Sequence, residues 1–368
     1  MPSVSSLTIK GFESIRSLED FPLGQLNVLI GANGAGKSNF INVFRLLQEI
    51  VDQQLQLHVQ KQGGPDALLH FGRAVTERLH VAFQFGADGR PGIRLGYGFN
   101  LIPTLDNRLI FESEESLFFG GELTVMNPSG SLGQGHSESK LKEASDSRSK
   151  LVYPCVSNWR VYHFHDTSDT ARVKQRHATN DNLHLKTDAA NLAAYLRMLR
   201  RDHASAYKRI IETIRLAMPF FDDFVHRPGE PDFIELEWLQ KGMPDTPFRA
   251  STLSDGSLRF ICLVTLLLQP IELLPDTLLI DEPELGLHPY AIAVLADALK
   301  QVAEDKQVIV STQSVELINA LTPEDVIVVE QANGASTFKR FTQTELADWL
   351  QEYSMGELWL RNILGGRP

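Results

Sequence analysis

The sequence predicts an α/β fold with a mixed, mainly parallel sheet covered by helices on both faces. Apolar runs typical of short buried strands alternate with stretches of helical spacing near the N-terminus and again after Ser254. A glycine-rich turn also joins the first buried strand to the first helix, as in many such sheets. The 368 residues are enough for one large α/β domain with a sizeable insertion.

The N-terminal part predicts strands followed by a helix. Residues 6–12 alternate as a strand does, and Leu26–Ile30 is an apolar run typical of a buried parallel strand. In Lys37–Val51 the apolar residues fall on one helical stripe. Residues 79–125 have the composition of several strands separated by glycine turns.

The middle of the chain predicts an inserted lobe of mixed character. Residues 127–150 are rich in Ser, Gly and charged residues, which predicts a flexible surface loop. Residues 151–165 have strand-like composition, residues 171–218 are basic and helical, and residues 233–239 alternate as a strand.

Strand and helix patterns alternate again from Ser254 onward. In order, we predict a helix over 258–268, a strand over 277–280, a helix over Pro289–Ala303, a strand over 308–311, a short helix over 315–321 and a strand over 325–330. These segments assign residues 1–125 and 250–368 to an α/β head and residues 126–249 to the inserted lobe.

The C-terminal tail has two open interpretations. Residues 346–360 contain several large apolar side chains, including Leu346, Trp349, Leu358 and Trp359. These side chains either pack on the head or form a surface for a partner. Burial is the commoner fate of such residues, so we favour self-packing.

Composition limits the classes of function. No run of 18 apolar residues is present and the first ten residues do not resemble a signal peptide, so we expect a cytoplasmic protein that does not enter a membrane. The formal net charge of −11 argues against a protein that coats DNA uniformly. Residues 171–215, however, contain ten Lys/Arg and four Asp/Glu. That stretch is either a DNA-binding face or an ordinary solvated helix surface.

Residues 31–38, GANGAGKS, match the phosphate-binding pattern G-x-x-x-x-G-K-[ST]. Glycines let the backbone N–H groups point at phosphate oxygens, and the following helix N-terminus favours anions. Lys37 is expected to reach the β- and γ-phosphates of ATP, and Ser38 to ligate Mg²⁺. The residues expected to contact ATP here are Gly31, Ala32, Asn33, Gly34, Ala35, Gly36, Lys37, Ser38 and Asn39.

A second candidate element is the apolar strand that ends in Asp281 and Glu282. Carboxylates at the C-terminal edge of a parallel strand lie where α/β sheets bind ligands. Asp281 is expected to hold Mg²⁺, and Glu282 to orient and polarise the attacking water. Since Pro283 follows, an acidic helix cap is the alternative for this segment on its own.

A third element, LSDGS at residues 253–257, precedes an apolar helix. It resembles the signature motif of ABC-type ATPases, and it lies before Asp281 and Glu282 as that family requires. The resemblance implies that Ser254, Asp255 and Gly256 contact ATP bound to the other subunit of a dimer. An ordinary helix N-cap is the alternative, and both can hold together.

Two positions depart from the ABC pattern. Asp255 stands where the family has glycine, and Gln313 stands where it has histidine. Glutamine can hydrogen-bond a phosphate or water but does not carry a proton, so we expect Gln313 to support geometry and to alter turnover. The run ELGLH from Glu284 to His288 matches the D-loop of the family and resembles its RecF/OLD-like members.

The whole chain resembles stand-alone RecF/OLD-like (SMC-type) ATPases without a fused TOPRIM nuclease domain. This resemblance implies an ATP hydrolase that uses ATP and Mg²⁺ as a dimeric switch, with ATP at the interface of a homodimer or larger assembly. It also implies action on DNA through residues 171–215, and control of a separately encoded effector or nuclease in anti-phage defence or DNA repair. The alternatives are an ATP-bound scaffold with little hydrolysis and the ATPase subunit of a membrane transporter.

Overall fold

The protein divides into two compact units in a computed structural model. Unit 1 comprises Met1–Trp159 and Thr322–Pro368, and unit 2 comprises Arg160–Leu321. The predicted division into head and inserted lobe is not tested by this packing and stays a prediction. The structure describes residues 3–86, 94–119, 129–229 and 231–367.

Unit 1 contains strands and helices in the order that the sequence predicts for its N-terminal part. The predicted strands over 6–12 and Leu26–Ile30 and the predicted helix Lys37–Val51 are confirmed. Its strands are β1 (Val4–Phe12), β2 (Ile15–Pro22), β3 (Leu26–Ile30), β4 (Leu79–Phe85), β5 (Arg94–Pro103), β6 (Leu109–Phe119) and β7 (Ser129–Gly133), and later β16 (Val326–Ala332) and β17 (Ala335–Arg340). Its helices are α1 (Lys37–Val51), α2 (Leu55–Lys61), α3 (Pro65–Leu68), α4 (Ser147–Ser157), α10 (Gln343–Leu346) and α11 (Met355–Leu360).

The strands of unit 1 form two groups. An antiparallel sheet has the order β2-β1-β4-β5-β6-β7. Strand β3 pairs in parallel with β16, which forms an antiparallel hairpin with β17. Every residue of β3 is buried, as a strand covered on both faces requires.

An aromatic cluster fills the core of unit 1. Phe44 on α1 packs 5.6 Å from Phe83 and 5.1 Å from Trp159 between ring centroids. All three rings are buried. Each such tilted pair contributes about 1 kcal/mol beyond the area that it buries, so the cluster fixes α1 against the antiparallel sheet.

The flexible loop predicted over residues 127–150 is interrupted by regular structure in its described part. Residues 127 and 128 lie outside the described residues, but 129–133 form β7 and α4 begins at Ser147. The buried Glu114 carboxylate accepts hydrogen bonds from Tyr97 Oη at 2.6 Å, His136 Nε2 at 2.9 Å and the Lys140 backbone N–H at 2.9 Å, and also from Ser139. Polar residues that suggest solvent in the sequence therefore surround a buried acid.

The first half of the strand-like segment 151–165 is helical, since α4 extends to Ser157. Asp146 caps α4 by accepting from the N–H groups of Arg148 and Ser149, both at 3.0 Å. This cap starts a helix in spite of Pro154 within it. Strand structure begins only with β8 (Trp159–Tyr162), which runs from the last residue of unit 1 into unit 2.

Unit 2 has the alternating elements that the sequence predicts from Ser254 to residue 321, and the strand predicted over 325–330 is β16 of unit 1. Its helices are α5 (Leu192–Asp202), α6 (Ala204–Ala217), α7 (Asp255–Leu268), α8 (Pro289–Ala303) and α9 (Val315–Asn319). Its further strands are β9 (His177–Ala178), β10 (Phe221–Phe224), β11 (Phe233–Ile234), β12 (Glu237–Gln240), β13 (Met243–Arg249), β14 (Thr277–Asp281) and β15 (Gln307–Thr312).

Two strand arrangements matter for function in unit 2. Strands β14 and β15 are parallel, with Asp281 opposite Ser311 at their C-terminal ends. Strands β10, β12 and β13 form a separate antiparallel sheet, and β9 pairs with β11. Within the described part of the chain, no helix is long and apolar enough to cross a membrane.

Most of the apolar tail packs on unit 1. Leu346, Leu358 and Trp359 are buried, and Trp359 Nε1 donates to the Gly366 carbonyl at 2.7 Å. Trp349 and Leu360 stay exposed. Self-packing is thus confirmed for the buried members of the tail, because burial of their large side chains is favourable.

Candidate active site

The phosphate-loop segment lies in unit 1 between β3 and α1. Gly31 and Gly36 occupy places that exclude a side chain. A Cβ on Gly31 would collide with the Val329 carbonyl, and a Cβ on Gly36 would collide with Ser336 Oγ. Gly36 also has φ +112°, which disfavours L side chains. Glycine is therefore required at both positions by the surroundings of the loop.

The N-terminus of α1 is the second element of the phosphate-loop segment. Its N-cap residue is Gly36, and no side chain of the described residues caps it. The first N–H groups of a helix lack partners within the helix, and the helix dipole adds positive potential there. Ser38 in the first turn and Asn33 and Gly34 in the loop are exposed. These features fit a phosphate group.

Lys37 directs its charge into the loop. The side chain is only 5% exposed, and Nζ donates to the carbonyl oxygens of Gly31 at 2.7 Å and Ala32 at 3.1 Å. Two backbone carbonyl oxygens therefore hold the Lys37 ammonium inside the loop. Contact of Lys37 with the β- and γ-phosphates of ATP stays a prediction.

Two serines that sequence reasoning missed support the loop from outside. Ser336 Oγ donates to the Ala35 carbonyl at 2.6 Å, and Ser14 Oγ lies 2.6 Å from Ser336 Oγ. The Asn39 side-chain amide lies 2.7 Å from Ser14 Oγ. Ser14 and Ser336 are 322 residues apart, so no local pattern in the sequence could identify them.

Glu13 was also missed, and it lies beside this serine pair. It has a left-handed backbone with φ +46°, a strained conformation for a residue with a side chain. Burial raises the pKa of the Glu13 carboxyl to about 7, although the Asn42 amide at 3.3 Å and the charge of Arg45 oppose the rise. A group with this pKa changes its charge near neutral pH.

Asp281 lies at the C-terminal end of β14 in unit 2. Ser311 Oγ, opposite it on β15, donates to Asp281 Oδ1, and His165 Nε2 lies 2.8 Å from the Asp281 carbonyl oxygen. The carboxylate is thus oriented at the edge of two parallel strands, where α/β sheets bind ligands.

The structure brings the two predicted catalytic residues of unit 2 together. Gln313 Nε2 donates to Glu282 Oε1 at 2.8 Å, and the Glu282 N–H donates to the Ser311 carbonyl at 3.0 Å. Glu282 has φ +44°, so the chain turns sharply directly after β14. Gln313 therefore fixes the direction of the Glu282 carboxylate.

Glu284 positions Gln313 from behind, a role that sequence reasoning did not assign. The Gln313 N–H donates to Glu284 Oε1 at 2.7 Å. Glu284 is 9% exposed, and burial raises the pKa of its carboxyl. Only its membership of the run ELGLH marked it in the sequence. The three residues Glu282, Gln313 and Glu284 form what we call the acidic edge.

The signature segment lies at the N-terminus of α7. Ser254 Oγ accepts from the Ser257 N–H at 3.2 Å, so the N-cap alternative is observed. A Cβ on Gly256 would collide with the Gly286 carbonyl, and a cavity of about 130 Å³ lies between these segments. Asp255 in the first turn is exposed and has the charge that a helix N-terminus favours.

A family model, described as "AAA domain, putative AbiEii toxin, Type IV TA system", matches residues 26–319. The chain belongs to this family of AAA-domain proteins. The match includes the phosphate loop, the signature segment, the acidic edge and Asp281. No curated protein matches the sequence significantly.

Solved structures with the same fold are SMC head domains. One is an SMC head bound to the C-terminal winged-helix domain of ScpA, with a TM-score of 0.59 and 15% identity over 94% of this chain and 100% of that one. Another is the head from Pyrococcus furiosus with an extended coiled coil, bound to the C-terminal domain of ScpA. It has a TM-score of 0.59 and 15% identity over 96% of this chain and 99% of that one.

These likenesses confirm the predicted fold class, an α/β P-loop ATPase head with mixed sheets and helices. At 15% identity they carry no further information about substrate or partner. The finer prediction of a RecF/OLD-like branch is not tested and stays a prediction.

Proposed function

We propose that the chain is an Mg²⁺-dependent ATPase that acts as an ATP-controlled dimeric switch. Unit 1 supplies the phosphate-binding groups: the α1 N-terminus, the loop N–H groups and the Lys37 ammonium. Unit 2 supplies the groups for hydrolysis, Glu282 and Gln313. The observation that carries the proposal is the bond between Gln313 Nε2 and Glu282 Oε1, because it orients a general base of the kind that phosphoryl transfer to water requires.

The proposed Mg²⁺ ligands are Ser38 and Asp281. Ser38 is exposed in the first turn of α1, and the Asp281 carboxylate is oriented by Ser311. The described residues contain no group of three or more His, Cys, Asp or Glu that could hold a metal by themselves. This fits Mg²⁺, which commonly binds one or two protein oxygens together with phosphates and water and neutralises phosphate charge.

The proposed dimer uses the signature segment. Ser254 and Gly256 lie at a helix N-terminus, and the cavity beside them has room for only a small group. In ABC-type ATPases, which this segment resembles, the equivalent residues contact the γ-phosphate on the other subunit. We therefore expect each chain to complete the ATP site of a second copy.

Light scattering with ATP and Mg²⁺ tests the dimer. A Glu282→Gln chain retains the shape of the side chain but not its negative charge, so it should bind ATP, hydrolyse it slowly and accumulate as a dimer. Ser254→Arg in the same background should stay monomeric, because a bulky side chain obstructs the helix N-terminus. A Glu282→Gln chain that stays monomeric in saturating ATP would refute the dimer.

We further propose that the switch acts on DNA and controls a separately encoded effector or nuclease. The basic composition of residues 171–215 supports DNA as a ligand. Both SMC-head structures contain a bound ScpA domain, which supports partner binding on this fold. The matching family is described by a toxin of a toxin–antitoxin system, and anti-phage defence and DNA repair are the two settings that we propose for the switch.

Steady-state ATP hydrolysis with and without DNA tests this role. We expect DNA to stimulate hydrolysis by the wild-type chain and to leave the residual rate of Glu282→Gln unchanged. A rate that no DNA form alters would exclude a DNA-coupled ATPase and direct the search to a protein ligand.

A second candidate function is a scaffold that binds ATP with little hydrolysis. Gln313 favours it, because glutamine cannot carry a proton away from the attacking water. Tight ATP binding without measurable turnover, in the presence of DNA and of the effector, would establish the scaffold.

A further inference from the structure

Unit 2 has a second cavity, of about 900 Å³, outside the proposed ATPase machinery. Helix α5 forms one wall, and residues from the segments 178–182, 226–227 and 231–233 form the others. The volume is in the range of small-molecule binding sites. We call this cavity the arginine pocket, after the four arginines that line it: Arg197, Arg200, Arg201 and Arg227.

Three of the four arginines come from one face of α5. Arg197, Arg200 and Arg201 have the spacing i, i+3 and i+4, which places neighbouring side chains together on a helix surface. Among the described residues that line the pocket, Asp232 is the one acid. The lining therefore has an excess of positive charge.

Elsewhere in residues 171–215, four of the seven Lys/Arg residues form ion pairs with nearby acids. The pairs are Arg172 with Asp188, Lys186 with Asp181, Lys208 with Glu212 and Arg215 with Asp222. A uniformly bare basic face is thus not what the helices present. The predicted DNA-binding stretch has to be narrowed to the positions that remain uncompensated.

Uncompensated charge remains in the arginine pocket. Arg201 pairs with Asp202 and Arg227 with Glu237, but Arg197 donates only to backbone carbonyls, those of Arg227 at 2.9 Å and of Gly229, among the described residues. Arg200 is exposed, and no acid of the described chain pairs with it. The guanidinium groups of Arg197 and Arg200 therefore lack a carboxylate partner among the described residues, and a phosphate matches their geometry.

Burial and the positive charge of the pocket lower the pKa of the neighbouring His226. Burial and the positive charges of Arg200 and Arg197 together lower the pKa of His226 to about 4, although the charge of Asp223 opposes the shift. His226 is therefore neutral at physiological pH, and its Nε2 lies 2.8 Å from Tyr207 Oη. The positive charge available to a ligand is that of the arginines.

The pocket also contains groups that suit a nucleobase. The Phe233 side chain lines it and is 56% exposed, so the face of an aromatic ring is available for stacking. The Asn180 side chain lines it too and makes no hydrogen bond to other described residues. An amide of this kind can pair with the donors and acceptors of a base edge.

We propose that the arginine pocket binds a nucleotide unit, with its phosphate on Arg197 and Arg200 and its base against Phe233. The source is a single-stranded nucleic acid or a free nucleotide, which share this chemistry. A base stacked within a duplex cannot enter such a pocket, so duplex DNA binds only where a strand is opened or ends. The single-stranded source rests on the proposed action on DNA.

The test is fluorescence anisotropy of a labelled oligothymidine with the full chain, without ATP or Mg²⁺. Arg200→Glu should weaken binding about tenfold or more, because it reverses a charge at a phosphate. Phe233→Ala should weaken it about tenfold through lost stacking. Lys208→Glu is the matched control, a charge reversal on α6 outside the pocket, and should change the affinity much less. The Arg200, Phe233 and Lys208 side chains are all exposed, so the three variants should fold, and thermal unfolding checks that they do.

Calorimetry with AMP distinguishes the two sources. If Arg200→Glu weakens AMP binding but not oligothymidine binding, the ligand of the pocket is a free nucleotide. If it weakens oligothymidine binding but not AMP binding, the ligand is a single strand. The pocket proposal is refuted if Arg200→Glu and Phe233→Ala weaken the affinity for AMP and for oligothymidine no more than Lys208→Glu does. ATP turnover of the same preparations, measured without nucleic acid, tests the ATPase separately, so either proposal can fail alone.

Discussion

The phosphate loop of unit 1 and the acidic edge of unit 2 are built in different ways. Backbone groups form the loop, and Gly31 and Gly36 fit where no side chain can. Side chains form the acidic edge, where Gln313 connects the carboxylates of Glu282 and Glu284 through hydrogen bonds. The loop therefore does not tolerate an added side chain, whereas the acidic edge tolerates substitutions that retain the shape of a side chain and alter its charge or hydrogen bonds.

This difference separates binding from turnover. Substitutions in the loop should impair ATP binding and stability together, because the backbone itself is the binding site. Isosteric substitutions at the acidic edge should alter turnover and leave stability and ATP affinity nearly unchanged. The following predictions test that separation, from the largest expected effect to the smallest.

Gly36→Ala should have the largest effect. The new Cβ collides with Ser336 Oγ, and the alanine has to adopt a backbone φ of +112°. We therefore expect the free energy of unfolding to fall by about 3 kcal/mol and ATP binding to be lost. Urea unfolding and ATP titration measure both. Gly34→Ala is the matched control, since its Cβ would have no neighbour within 4 Å and only its φ of +78° is unfavourable. Equal losses in the two variants would contradict the collision.

Glu13 should make the stability of unit 1 depend on pH. Its pKa is raised from 4.5 to about 7 on folding, so the unfolded chain loses this proton at lower pH than the folded chain. The free energy of unfolding should therefore fall as pH rises from 4.5 to about 7, by at most about 3 kcal/mol. Glu13→Gln should remove this slope in urea unfolding at several pH values. Parallel slopes for the two chains would count against a buried, protonated Glu13.

Gln313→Ala should have the smallest of these effects and should act on turnover alone. It removes the donor to Glu282, and the loss of a hydrogen bond to a carboxylate of about 1.5 kcal/mol corresponds to about tenfold in kcat. ATP affinity should change little. Gln313→His restores a donor and should recover part of the rate. A fall in affinity as large as the fall in kcat would show that Gln313 contributes to binding instead.

Local sequence patterns were sufficient for the elements that local physics determines. Leu26–Ile30, Lys37–Val51 and Pro289–Ala303 have the predicted bounds, because their apolar spacing and their terminal glycine or proline residues act within each segment. The phosphate loop belongs to this group, since its shape comes from nearby glycines.

Composition failed where polar residues have buried partners. Residues 129–150 look solvated in sequence, yet His136 and Ser139 bind the buried Glu114 and Asp146 caps α4. The supports of the site were missed for the same reason. Ser336 supports Ala35, and Glu284 positions Gln313, through contacts between residues distant in the sequence. Such contacts are set by tertiary packing, which propensities do not encode.

ATP affinity and turnover of Glu282→Gln, measured on one preparation, test the central claim most directly. The claim assigns phosphate binding to the loop of unit 1 and activation of water to Glu282. It predicts that kcat falls about 100-fold or more, whereas the ATP dissociation constant stays within about threefold of wild type. A proportional loss of affinity, or turnover that survives the substitution, would contradict it.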